Sequence, residues 1–149
     1  MRTQQIITMR PQNLQSKLLL ACLLLFSCFV VLHTDAKPTV PPVRVACVGN
    51  SITYGTGIAN RDKDSYPAQL QAMLGNKYLV ENFGKPGATL LRHGHRPYFK
   101  QQEFRDAMAF HADIAVIHLG INDTDPRDWP NYRDEFVRDY LALIDSLKS

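Results

Sequence analysis

The sequence predicts an α/β domain built on an open parallel sheet, and three observations carry the prediction. Short β-branched and apolar runs alternate with segments of helical periodicity. Each apolar run stops at a glycine-containing polar turn. Helical segments between successive strands favour right-handed crossovers, and so parallel pairing. The 149 residues suffice for one domain and show no internal repeat.

The elements follow in order. Val43 to Val48 (VRVACV) is a β-branched run suited to a buried parallel strand, bounded by Gly49. Pro67 to Leu74 places proline in a first helical turn and apolar side chains at 70, 73 and 74, with Gly75 as the stop. Tyr78 to Phe83 reads as the second strand, ended by Gly84. Gln101 to Phe110 reads as a helix with Phe104, Ala107, Met108 and Phe110 near one face. Ile114 to Leu119 (IAVIHL) is the third strand, ended by Gly120. Asn131 to Leu147 is expected to be one continuous helix, with an apolar stripe at 132, 136, 137, 140, 141, 144 and 147.

Residues 1–36 have the form of a secretory signal peptide. Arg2, Arg10 and Lys17 precede the apolar run Leu18 to Leu32, and small residues follow at Thr34 and Ala36. The alternative is an uncleaved anchor, but the run is short against the ~20 residues a bilayer core requires. Cys22 and Cys28 could serve as lipid acceptors, although apolar residues follow both. Residues 37–42 (KPTVPP) read as an extended linker into the domain at 43–149. Removal of 1–36 takes three of the 17 basic and one of the 14 acidic side chains, leaving 113 residues at +1. So neutral a domain lacks the electrostatic footprint of a nucleic-acid binder. Cys47 is the single thiol left, and its Val-rich surroundings point to a buried strand residue.

In open parallel sheets, chemistry gathers at the carboxyl ends of the strands. The three turns there are Gly49-Asn50-Ser51-Ile52, Asn82-Phe83-Gly84-Lys85-Pro86-Gly87, and Gly120-Ile121-Asn122-Asp123. Ser51 directly follows a strand and enters a helix, so its hydroxyl and its N–H can share one cleft. Gly87 allows close approach of backbone to ligand, and Asn122 carries an amide donor. Two backbone N–H groups and one amide make a candidate oxyanion hole. The histidines read otherwise. His118 is expected to be buried or on a sheet face, and His93 and His95 to be solvated or substrate-contacting in a basic loop with Arg92 and Arg96. His111 is expected at a helix end, where a cation complements the dipole. Asp123, Asp125 and Asp128 around Pro126 are expected to cap and steer the chain into the last helix.

These three turns resemble blocks I, II and III of the SGNH (GDSL-type) hydrolase superfamily. Gly49-Asn50-Ser51-Ile52 resembles the Gly-Asp-Ser-Leu block, with Asn at 50 in place of Asp. Asn82, Gly84 and Gly87 match Asn-x-Gly-x-x-Gly; Gly120, Asn122 and Asp123 match Gly-x-Asn-Asp. The resemblance runs from about Val43 to Leu147 and implies a three-layer α/β/α, flavodoxin-like sheet with strand order 2-1-3-4-5. It implies Ser51 as nucleophile, with the Ser51 N–H, the Gly87 N–H and the Asn122 side chain as oxyanion donors, and no metal or organic cofactor. The leader together with GNSITYG and INDTDP is most similar to bacterial exported carbohydrate esterases, including sialate O-acetylesterase-like proteins.

The general base of that family comes from an Asp-x-x-His block, and none occurs in this sequence. The sequence is therefore read as the N-terminal part of the fold, with the nucleophile and oxyanion hole encoded and the base beyond Ser149. The implied function is hydrolysis of an acyl ester, an O-acetyl group on a carbohydrate, through an acyl-serine intermediate. A lipid acylhydrolase or thioesterase, or an inactive glycan-binding remnant of the fold, are the alternatives. The expected partners are small-molecule or glycan acyl esters, with no nucleic acid, and a membrane only through an uncleaved leader.

Overall fold

The computed structural model describes residues 40–148. The signal-peptide reading of 1–36 and the first half of the 37–42 linker lie outside the described residues. Three strands, β1 (Val43–Gly49), β2 (Tyr78–Gly84) and β3 (Ile114–His118), form a parallel sheet in the order β2-β1-β3. In register, Cys47 lies between Asn82 and Val116, and Gly49 between Gly84 and His118. The glycine-rich turns after the strands therefore emerge side by side.

Strand alternation divides the packing between two layers. Ala46 and Val48 face one side and join a core with Leu90, Tyr98, Ala107 and Leu143, all buried. That layer includes α4 (Gln102–Ala109) and α6 (Phe136–Leu147), numbered after the earlier helices α1 (Ser51–Tyr54), α2 (Arg61–Asp64) and α3 (Tyr66–Leu74) and the short α5 (Trp129–Tyr132). Cys47 faces the other layer, where α3 brings the Tyr66 hydroxyl to within reach of the thiol. Pro67 stands in the first turn of α3, as its fixed φ favours, and Gly75 ends the helix at φ 67°. The result is a three-layer α/β/α arrangement of a three-stranded sheet.

Two expectations need correction. The predicted helix over 131–147 is broken: α5 is followed by a 3₁₀ turn at Arg133–Glu135 before α6 begins. Tyr132 leaves helical geometry at φ −128°, ψ 3°, and the break sets the Phe136 ring against Trp129 and within 3.1 Å of where a side chain on Gly120 would stand. The apolar stripe is also only partly covered. Of its positions Leu147 is buried, whereas Val137 and Leu141 are exposed; Leu143, outside the predicted stripe, is buried in the core.

Candidate active site

Ser51 is the first residue of α1, immediately after β1. Asn50 caps this turn: its Oδ1 accepts the Ile52 N–H at 2.9 Å, and the side chain is fully buried. The Ser51 N–H and hydroxyl make no hydrogen bond among the described residues. Both are thus available to a ligand.

The loop after β2 approaches from one side. Asn82 donates from Nδ2 to Thr53 O at 2.8 Å, and the Lys85 N–H donates to Gly49 O at 2.8 Å. Gly84 is required by packing, because a Cβ there would stand 2.2 Å from Tyr54 N. Gly87 sits at φ +77°, a left-handed backbone that favours glycine, and its N–H is likewise unengaged. From the other side, Asn122 opens a 3₁₀ turn after β3 and donates from Nδ2 to Ala88 O at 2.8 Å. That bond uses one of the two amide hydrogens. The Asn50 N–H donates to His118 O at 3.3 Å and closes the ring of three strand ends. The structure thus brings the segments of Ser51, Gly87 and Asn122 together at one end of the sheet.

Three acidic side chains hold the loop beyond Gly87. Asp123 accepts the N–H groups of Leu90 at 2.9 Å and Leu91 at 2.6 Å. Asp139 accepts the Arg92 N–H at 2.8 Å, and Asp128 accepts the His95 N–H at 2.9 Å while meeting its Nδ1 at 2.6 Å. All three carboxylates are buried. Burial raises the Asp123 carboxyl above its usual range, and the two loop N–H groups offset only part of the rise.

These contacts revise the sequence expectations. Asp123 and Asp128 hold a distant loop through side-chain bonds, and no cap bond from Asp128 to α5 forms. Asp125 alone acts locally, with the Arg127 guanidinium holding its carboxyl well below the usual range. His95 meets Asp128 and His93 pairs with Glu135 at 2.7 Å, while both residues stay exposed to solvent, as expected. His118 is the last residue of β3 and is exposed rather than buried. His111 lies just past α4 at φ 48°, and it is exposed. No histidine is hydrogen-bonded to Ser51 among the described residues. Sequence reasoning also missed a polar column beneath α1, where the Tyr66 hydroxyl lies 3.1 Å from Thr53 Oγ1 and beside the Cys47 thiol. Burial pushes Tyr66 up to about 12.

Residues 47–149 match the GDSL-like lipase/acylhydrolase family, so the match takes in all three strand-end turns. The chain belongs to this family. As a GDSL-like protein it shares 47% identity over 117 residues with an acetylxylan esterase of Xylanibacter ruminicola, across 78% of this chain. The chain spans 24% of the length of that relative.

Proposed function

We propose that this GDSL-like chain carries the nucleophile and the oxyanion hole of a serine esterase that removes O-acetyl groups from a carbohydrate. What supports the reading is that the segments of Ser51, Gly87 and Asn122 meet at the carboxyl ends of neighbouring strands, with the Ser51 hydroxyl and the Ser51 and Gly87 N–H groups making no hydrogen bond among the described residues. Ser51 Oγ would attack the ester carbonyl as a base takes its proton. These two N–H groups and the Asn122 side chain would hold the charge of the tetrahedral intermediate, which collapses to acyl-Ser51 as the sugar hydroxyl leaves with a proton. Water then releases the acid. A serine hydroxyl needs an adjacent base for this, and residues 1–149 contain no Asp-x-x-His. The base is therefore proposed to lie in further sequence of the full gene product. The name of the acetylxylan esterase relative supports the acetyl and carbohydrate parts of the reading. The leader-like segment at 1–36 supports action outside the cytoplasm, with a mature N-terminus near Lys37.

The test is made on the full gene product with p-nitrophenyl acetate and an acetylated oligosaccharide. Ser51→Ala should abolish turnover and labelling by a serine-directed phosphonate. Asn122→Ala should lower kcat by roughly 10²–10³, the loss for one oxyanion donor. Near-wild-type turnover in Ser51→Ala would falsify the assignment.

A further inference from the structure

We propose that Arg96 is the specificity residue of this site, taking a carboxylate carried by the sugar unit that bears the ester. The proposal rests on the esterase reading above and adds a substrate class to it. A methyl group built on Gly87 would stand 3.3 Å from Arg96 Nη1 and 3.4 Å from its Cδ. The guanidinium thus lies across the residue whose N–H is offered to the oxyanion.

It is held there by the backbone on both sides. Arg96 O accepts the Thr89 N–H at 2.9 Å, and the next peptide unit is fixed by the Tyr98 N–H donating to Thr89 O at 2.8 Å. On the other side His95 is anchored twice by the buried Asp128. These bonds fix the stretch of backbone from which the Arg96 side chain reaches Gly87.

Its charge is unanswered. Among the described residues every other arginine has a partner for its side chain. Arg44, Arg61 and Arg92 lie over aromatic rings. Arg105 donates to Gln102, and Arg127, Arg133 and Arg138 pair with carboxylates. The acids that face the neighbouring histidines are already engaged, Asp128 by His95, Glu135 by His93 and Arg138, and Asp125 by Arg127. Arg96 is exposed. A guanidinium with five donors in a planar fork, beside a site for a neutral ester, matches a carboxylate on the same substrate.

Two matched probe pairs test this on the full gene product. Binding of methyl glucuronoside and methyl glucoside, followed by NMR titration, needs no turnover. The acid should bind roughly tenfold or more tightly than the neutral sugar, the scale of one charge-assisted contact. Arg96→Gln should remove that preference and Arg96→Lys should retain part of it. The preference should also shrink between 50 mM and 500 mM salt, concentrations that roughly bracket strong and weak screening. With the mono-acetylated forms of the same sugars, Arg96→Gln should lower the acid-to-neutral ratio of kcat/KM by roughly 10- to 100-fold. Equal binding of the two sugars by the wild type would overturn the proposal, as would equal losses on both esters in Arg96→Gln. Discrimination in binding without Ser51-dependent turnover would support Arg96 and defeat the esterase reading. Turnover without discrimination would defeat Arg96 alone.

Discussion

Asp128 holds His95 at two points, the backbone N–H at 2.9 Å and ring Nδ1 at 2.6 Å, although 33 residues separate them. The carboxylate is buried, so removing it leaves two donors of the loop without their partner. Asp128→Ala should lower the unfolding free energy by about 2 kcal/mol, within the range for an unsatisfied buried group. Urea denaturation measures this. A change below about 0.5 kcal/mol, the scale of an ordinary surface substitution, would show that the loop is held elsewhere.

Asn50 stands where the family's first block has Asp, and its Oδ1 caps the turn that presents Ser51. Its buried Nδ2 has no partner. Asn50→Asp keeps the acceptor and replaces the unsatisfied donor with the carboxylate oxygen that the family's first block carries there, so turnover should stay within a few-fold of wild type. Asn50→Ala loses the cap and should cost about 1 kcal/mol of stability. Loss of activity in Asn50→Asp on the scale of Ser51→Ala would give Asn50 a direct part in the chemistry.

Three weak acids, two buried and one half-buried, set an alkaline limit to stability. Burial raises the Cys47 thiol above 9.0, pushes Tyr66 up from 10.0 to about 12, and raises Tyr98, whose hydroxyl donates to Phe83 O at 2.7 Å. Below their unfolded values all three are neutral in both states. As pH rises further the unfolded chain ionises first, so stability is lost from about pH 9 upward and most steeply between 10 and 12. Denaturation midpoints measured from about pH 8 to pH 11 should fall, and Tyr66→Phe should flatten part of the slope. A midpoint that stays level across that range would contradict the burial argument.

The outer edge of β3 has no strand partner among the described residues, and Ile114 and Val116 on it are 45% and 37% exposed. Beside it, a cavity of about 580 Å³ lies between Ala115 and Ile117 of β3 and Tyr140 and Ile144 of α6. An open apolar edge is a template for pairing with another chain. Expressed alone, residues 37–149 should self-associate, and Val116→Lys should shift the sedimentation profile toward monomer. Association unchanged by the lysine would place the contact away from β3.

The sequence by itself determined the strands, their parallel sense and the three turns of the site. Val43 to Val48 and Ile114 to Ile117 are rich in β-branched residues, which favour a pleated backbone through their own side-chain sterics and so announce a strand locally. Glycine and proline mark the ends for equally local reasons, as Pro67 and Gly75 do for α3. What only the tertiary structure decided are relations between residues far apart in the chain. Asp123 and Asp128 read in sequence as helix caps and Asp139 as one more residue of the last helix, yet all three hold the loop at 90–95, because a buried carboxylate takes whichever unpaired N–H groups the fold sets beside it. The break at Arg133–Glu135 is of the same kind. Helical periodicity continues through it, and it is the packing of Phe136 against Trp129 and Gly120 that accompanies the interruption. Arg96 reads in sequence as one more basic residue of a surface loop; only the crossing of its side chain over Gly87 brings its charge to the site.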